Sequence, residues 1–286
     1  MQALKYIASY WTLAGKVVPL GNPEQEASDV GFQDRLEVAA KAGYSGVGFI
    51  SSDLIKIRKK FSLVEIRTLL KDYGLPYLEL EFLTGWMADG RELSDSEKMF
   101  TDMLEVADVV GVRHIKVGPD MEGKDWPLER MVERFARLCE RAKSVGTMLS
   151  LEMMPWSNLN NLESALSVVQ GANYDNSGLL LDIWHVARAD IPYGAISSIP
   201  SRMINYVEIN DADREVKGSL LEDTLNHRRF CGDGSFDVPE FLKAVLSQGY
   251  KGPFGLEIIS EAQRQRSFRE VAYDAIKKAK EQASKI

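Results

Sequence analysis

Asp182 ends the short apolar run Ser177–Leu181, and His185 follows three residues later, so that a carboxylate and an imidazole could reach one spot. The same grammar recurs along the chain. Met148-Leu149-Ser150-Leu151 runs into Glu152, Ile204-Asn205-Tyr206-Val207 into Glu208, and Phe254-Gly255-Leu256 into Glu257. A carboxylate is expensive at the end of a buried strand, and four in succession ask for one explanation. A single divalent cation held by Glu152, Asp182, Glu208 and Glu257 is the simplest. An all-carboxylate shell suits Mn²⁺ or Mg²⁺ best, with Co²⁺ or Zn²⁺ also compatible.

Other side chains could complete such a site. Lys116 alternates with Ile115 and Val117, which turns it into the interior, where an ammonium needs a task or a partner such as Glu81. His227, Arg228 and Arg229 precede Gly232 and could hold a carboxylate, phosphate or hydroxyl of a substrate. Trp11 and Trp86 follow strands and are candidates to line a sugar-sized pocket. Ion pairing, core packing and ordinary surface charge are the alternatives for these residues. The spacing Gly232-x-Gly234 is no dinucleotide fingerprint, since no strand precedes it and no third Gly follows. The sequence carries neither a P-loop nor a Gly-x-Ser-x-Gly elbow.

The elements that must position these residues alternate strictly. Strands are expected at Tyr6–Tyr10, Gly46–Ile50, Tyr77–Phe82, His114–Val117 and at the four acid-ended runs. Between and after them come helices at Gly31–Ala42, Leu63–Tyr73, Ser94–Val110, Leu128–Val145, Leu162–Gln170, Val238–Gln248 and Phe268–Gln282. Short helical pieces are expected at Trp184–Ala189 and Tyr193–Ser198, and an irregular loop at Asn210–Phe236. Strict alternation implies parallel strands with right-handed crossovers. Eight units over 286 residues fit a closed (β/α)₈ TIM barrel of the α/β class, a single domain over 1–286. In such a barrel chemistry sits where strands end, which is where all four acids stand.

The ordered series resembles the xylose isomerase-like TIM-barrel superfamily of sugar isomerases and epimerases, also called the AP endonuclease 2 family. The resemblance rests on Leu151-Glu152, Leu181-Asp182 with Trp184-His185, Val207-Glu208-Ile209-Asn210-Asp211, Gly232-Asp233-Gly234 with Phe236-Asp237, and Gly249–Pro253 leading to Leu256-Glu257. It implies that the acids of strands five, six and eight ligate a metal, and that His185 contacts substrate. The seventh strand of the family often supplies His where Glu208 stands here. The resemblance also implies that Glu152 and Glu257 move a proton on the carbon beside a carbonyl, giving an enediolate. Isomerisation, epimerisation and loss of a β-hydroxyl share that intermediate and stay open. The spacing is similar to that of metal-dependent 3-dehydroshikimate dehydratases, which carry a basic residue where Lys116 stands, so a dehydratase with catalytic Lys116 is the second reading. A keto-inositol dehydratase belongs to the same reading. The expected substrate is a small sugar, sugar phosphate, keto-cyclitol or cyclohexene acid.

Composition narrows the remaining classes. A net charge of −7 and the lack of a Lys/Arg cluster disfavour nucleic acid, and with three histidines they leave an AP endonuclease-like repair enzyme remote. A barrel that only binds a sugar is disfavoured by four intact acids. Cys139 and Cys231 form no metal or redox motif and read as free thiols in a reducing compartment. Met1–Leu20 lacks the pattern of a signal peptide, and no segment is apolar enough for a membrane span. A cytoplasmic enzyme is expected, and a homo-oligomer is compatible with the sequence.

Overall fold

The computed structural model describes residues 3–286; the first two residues of the Met1–Leu20 reading lie outside them. Eight parallel strands close into a barrel in sequence order, with β1 Tyr6–Ala8, β2 Gly46–Ile50, β3 Tyr77–Leu83, β4 His114–Val117, β5 Met148–Glu152, β6 Ser177–Asp182, β7 Ile204–Ile209 and β8 Phe254–Leu256. The alternation read from the sequence therefore gives the expected (β/α)₈ architecture. Register fixes the heights of the side chains. Lys116 pairs with Ser150, Asp182 with Glu208, and Glu208 with Gly255. The acids of neighbouring strands are thereby held at one end of the barrel.

The helices cover the barrel and bury one apolar stripe each. Leu63–Asp72 opens on a capping box in which Ser62 and Glu65 exchange side-chain and backbone bonds, and its Ile66 and Leu70 face the core. Leu128–Ser144 buries Met131, Phe135, Leu138, Cys139 and Ala142 at helical spacing. These stripes join the outward faces of the strands in one continuous core.

Inside the barrel the packing is not uniformly apolar. Ile7, Leu180 and Tyr206 form a small apolar plug. Above and beside it lie the buried polar side chains Glu79, His114, Lys116, Ser150 and Glu208. Two glycines make room for them. A Cβ on Gly48 would lie 2.7 Å from Glu79 Oε1, and a Cβ on Gly255 would lie 2.4 Å from the Tyr206 hydroxyl and 2.9 Å from Glu208 Oε1.

Besides the short pieces Pro23–Glu26, Ser201–Met203 and Glu261–Arg264, which the sequence did not show, four elements depart from the sequence reading. Strand β1 stops at Ala8, because Tyr10–Leu13 turns into a short helix. Helix Gly90–Val106 starts earlier than expected and runs into a wide turn, Ala107–Gly111. Helix Ser51–Arg58 begins directly after β2. The supposed loop 210–236 contains helix Leu220–Asn226, opened by a capping box of Ser219 and Glu222. The last two are too short to show an apolar period, although Ser219-x-x-Glu222 is a legible start signal.

Candidate metal and active site

The ends of strands β5 to β8 bring Glu152, Asp182, Glu208 and Glu257 to one buried place, each 5% exposed or less. Ligand atoms of Asp182, Glu208 and Glu257 lie within 4.8 Å of one another, and so do those of Glu152, Asp182 and His185. Oxygens ligating one hard cation at about 2.3–2.6 Å lie at most about 5.2 Å apart, a span both groups fall within. Asp182 belongs to both groups and links them. His185 joins it through an imidazole Nε2 that is 3.3 Å from Glu152 Oε1 and 3.9 Å from Asp182 Oδ2. The donor set is therefore mixed, where the sequence suggested carboxylates alone.

Local structure fixes each acid. Asp182 caps the helix Ile183–Arg188, accepting from the Trp184 amide at 2.8 Å and from Asn210 Nδ2 at 2.9 Å through the same oxygen. Its other oxygen meets Arg228 Nη1 at 2.6 Å, and the same nitrogen donates to Glu257 Oε2 at 2.9 Å. Thr224, one turn earlier, holds the guanidinium at 2.9–3.1 Å. Glu208 Oε1 accepts from Ser9 Oγ at 2.7 Å and from Lys116 Nζ at 2.5 Å. Its Oε2 is buried and has no hydrogen-bond partner. A buried carboxylate without a partner for one oxygen, clustered with Asp182 and Glu257, fits a divalent metal.

The electrostatics point the same way. Six carboxyl groups (the four acids with Glu79 and Glu81) surround the buried cations Lys116 and Arg228. Burial, aided by the charge of Glu257, pushes Glu208 well above the usual carboxylate range although Lys116 opposes it. Burial raises Glu81 to about 8, with Lys116 again opposing and Glu257 and Glu79 adding to the rise. Burial also raises Glu152, against the pull of His185. Asp182 goes the other way, because Arg228, His185 and the Trp184 amide outweigh its burial. A divalent cation held here would favour the ionised carboxylates and oppose the rise that burial causes in Glu208 and Glu152.

Above the acids lies a cavity of about 400 Å³. Glu152, Glu257, His185, Arg228, Glu81 and Trp11 all line it. Four expectations need correction. Lys116 does not line it; it sits beneath, 1% exposed, with Nζ within 3.4 Å of Glu79, Glu81, Glu208 and Glu257. Those carboxylates outweigh burial and hold its pKa well above the ordinary lysine value. Trp86 packs on Phe135 and donates to the Gly118 carbonyl at 2.7 Å, a core role. Arg229 pairs with Asp213 at the surface, and half-buried His227 ends its helix outside the wall. The helix end turns Arg228 inward and its two neighbours away.

The cavity adds residues that sequence reading missed. Ser51 and Ser52, directly after β2, both line it, and their buried hydroxyls have no partner. Trp156, four residues past Glu152, stacks against His185 with ring centroids 5.6 Å apart. Position just past a strand end was the available signal for all three.

Comparison with known proteins follows from this geometry. The family described as xylose isomerase-like TIM barrel matches residues 36–282. The chain belongs to that family. A 3-dehydroshikimate dehydratase of Pseudomonas aeruginosa is 29% identical over 85% of this chain, and the chain spans only 38% of that protein. An inosose isomerase of Halalkalibacterium halodurans is 24% identical over 86% of this chain and 88% of its own length. Among solved structures, an IOLI protein with a bound zinc atom superposes with a TM-score of 0.85 at 20% identity, over 99% of both chains. Relatives of this xylose isomerase-like barrel thus include dehydratases, isomerases and, at 27% identity over 44% of the chain, a ketose 3-epimerase of Arthrobacter globiformis.

Proposed function

We propose that the protein is a divalent-metal-dependent isomerase or epimerase that removes a proton beside the carbonyl of a small hydroxy ketone. The observation that carries this reading is that Glu152 and Glu257 both open on the cavity, while Asp182 and Glu208 lie beneath them within reach of the same cation. Glu152, Asp182, Glu208 and Glu257 would hold it, with His185 close enough to join. Mn²⁺ suits this mixed set better than Mg²⁺, and Zn²⁺ or Co²⁺ is compatible; the IOLI protein was crystallised with zinc. A cation bound there supplies a Lewis acid that polarises the substrate carbonyl and makes the neighbouring C–H acidic.

The chain's own residues perform the remaining steps. Either glutamate takes the α-proton on an oxygen turned into the cavity, leaving an enediolate. Return of the proton to the former carbonyl carbon, with the adjacent hydroxyl proton passing to the former carbonyl oxygen, isomerises the substrate. Delivery to the opposite face of the original carbon by the second glutamate, itself carrying a proton, epimerises it. Arg228, fixed by Thr224, holds the carboxylates of Asp182 and Glu257 and keeps positive charge beside the developing oxyanion. The free hydroxyls of Ser51 and Ser52 are placed to bond substrate hydroxyls. The only basic side chains in the cavity wall, among the described residues, are His185 and Arg228, and Arg228 is already engaged by two acids. That disfavours a phosphate ester and supports an uncharged substrate.

A dehydratase is the second reading. The 29% identity to the Pseudomonas enzyme supports it, and His185 beside Glu152 could protonate a departing β-hydroxyl. No helix among the described residues is long and apolar enough to cross a membrane, and two free buried thiols fit the reducing cytoplasm. The test is deuterium uptake from heavy water into ketoses, inososes and dehydroshikimate with the Mn²⁺-loaded protein, run beside substrates deuterated at the α-carbon. Glu152→Gln and Glu257→Gln should keep much of their metal and lose exchange. Full turnover in both variants, with no uptake and no isotope effect, would remove the enediolate reading.

A further inference from the structure

The cavity changes character between floor and mouth. At its floor Glu81, Glu152, His185, Arg228 and Glu257 are each 5% exposed or less. At its mouth the lining side chains Leu20 and Ile55 are 63% and 58% exposed. Leu221 and Leu225, on the helix that holds Thr224, and the rings of Trp11 and Trp156 continue the apolar wall. Large apolar side chains gathered at one opening mark a place that a ligand covers. A free ketose or cyclitol carries hydroxyls on every side. Those turned outwards would leave water for a wall that, apart from Ser51, Ser52, Thr84 and Glu26, is mostly apolar and offers them few partners. A volume of about 400 Å³ is also of the size that encloses ligands larger than a simple sugar.

We infer that the substrate is a hydroxy ketone bearing a flat apolar substituent. Its carbonyl end lies over the acids and its apolar part fills the outer cavity between Trp11, Ile55 and the Leu221–Leu225 turn. The inference rests on the reading of the acid cluster as a carbonyl-binding site and adds what stands above it. Continuity of the apolar wall with the acid floor favours one molecule spanning both over a second protein copy capping the rim.

The test compares hydroxyacetone with 2-hydroxyacetophenone, which share the CH₂OH–C=O head and differ by methyl against phenyl. Binding of each to the Mn²⁺-loaded protein is measured by calorimetry at several temperatures. The phenyl compound should bind at least about tenfold tighter, with a more negative heat-capacity change. Ile55→Ser and Leu225→Ser should each shrink that preference by about threefold or more, with melting curves confirming that the variants fold. Equal affinities, a preference for hydroxyacetone, failure of both to bind, or an unchanged preference in both variants would overturn the inference. So would a dimer in sedimentation that Ile55→Ser dissociates, since the rim would then belong to a second copy. Hydrogen exchange separates this inference from the chemistry beneath it. Tight binding of 2-hydroxyacetophenone without α-hydrogen exchange leaves the apolar subsite standing and removes the enediolate. Exchange on ketoses with no gain from the phenyl group does the reverse.

Discussion

Replacing Lys116 with Met removes one charge and keeps most of the side-chain volume. In the wild type the ammonium is 1% exposed and lies 2.5 Å from Glu208 Oε1 and 3.0 Å from Glu257 Oε1, with Glu79 and Glu81 at 3.4 Å. Deleting one partner of such a buried pair typically costs about 3–5 kcal/mol, because the charge left behind has no water to return to. Against a total stability of about 5–15 kcal/mol this is a large fraction. At roughly 2–4 °C per kcal/mol, the metal-free variant should melt about 10 °C or more below the wild type. The variant should also gain more from added Mn²⁺ than the wild type does, since the cation takes over the missing positive charge. A double variant with Glu208→Gln should recover about 2 kcal/mol, because the amide keeps the Ser9 bond and brings no charge. The assay is urea unfolding of the four proteins with chelator and with Mn²⁺. A Lys116→Met protein within about 1 kcal/mol of wild type in chelator, with no coupling to Glu208→Gln, would refute the counter-ion role and return Lys116 to the candidates for substrate binding.

Three further outcomes follow from the geometry. Burial holds His114 neutral, with its pKa lowered to about 4, while the unfolded chain titrates near 6.5. Unfolded chains therefore take up a proton that the fold resists, and stability falls as pH drops through 6.5 towards 4, by about 3 kcal/mol in all. Urea titrations of His114→Gln should lack that component, and an identical pH profile in the variant would contradict the assignment. Arg228→Lys, whose lone ammonium cannot bond Asp182 and Glu257 while Thr224 anchors it through two further nitrogens, should lower turnover by about tenfold or more, whereas Arg229→Ala should leave it within about twofold. Steady-state rates on an accepted substrate decide this, and equal losses would place both residues in the site. Trp86→Phe should cost about 1–2 kcal/mol through the lost bond to Gly118 and leave substrate affinity unchanged, so a raised Kd in calorimetry would reinstate Trp86 as a cavity residue.

The acid quartet and the barrel were legible because both are written locally. Each acid closes an apolar run, each helix stripe repeats at helical spacing, and each βα unit needs only its own sequence to declare itself. Strand direction then follows from alternation, and direction alone places Glu152, Asp182, Glu208 and Glu257 at one end. What the sequence could not supply was distance across the barrel. Lys116 turns inward by alternation, but whether it reaches the cavity or stops among acids depends on the register of β4 against β3, β7 and β8. The same limit applies to Arg228 and its neighbours. Three adjacent basic-type residues look equivalent in a string, and the end of helix Leu220–Asn226 turns one inward and two away. Trp86 lies in the core and Trp156 in the cavity wall for a similar reason, since a tryptophan after a strand faces core or cavity according to the path of its loop. Position along the chain set which residues could meet, and closure of the sheet decided which of them share a cluster, a cavity or only a neighbour.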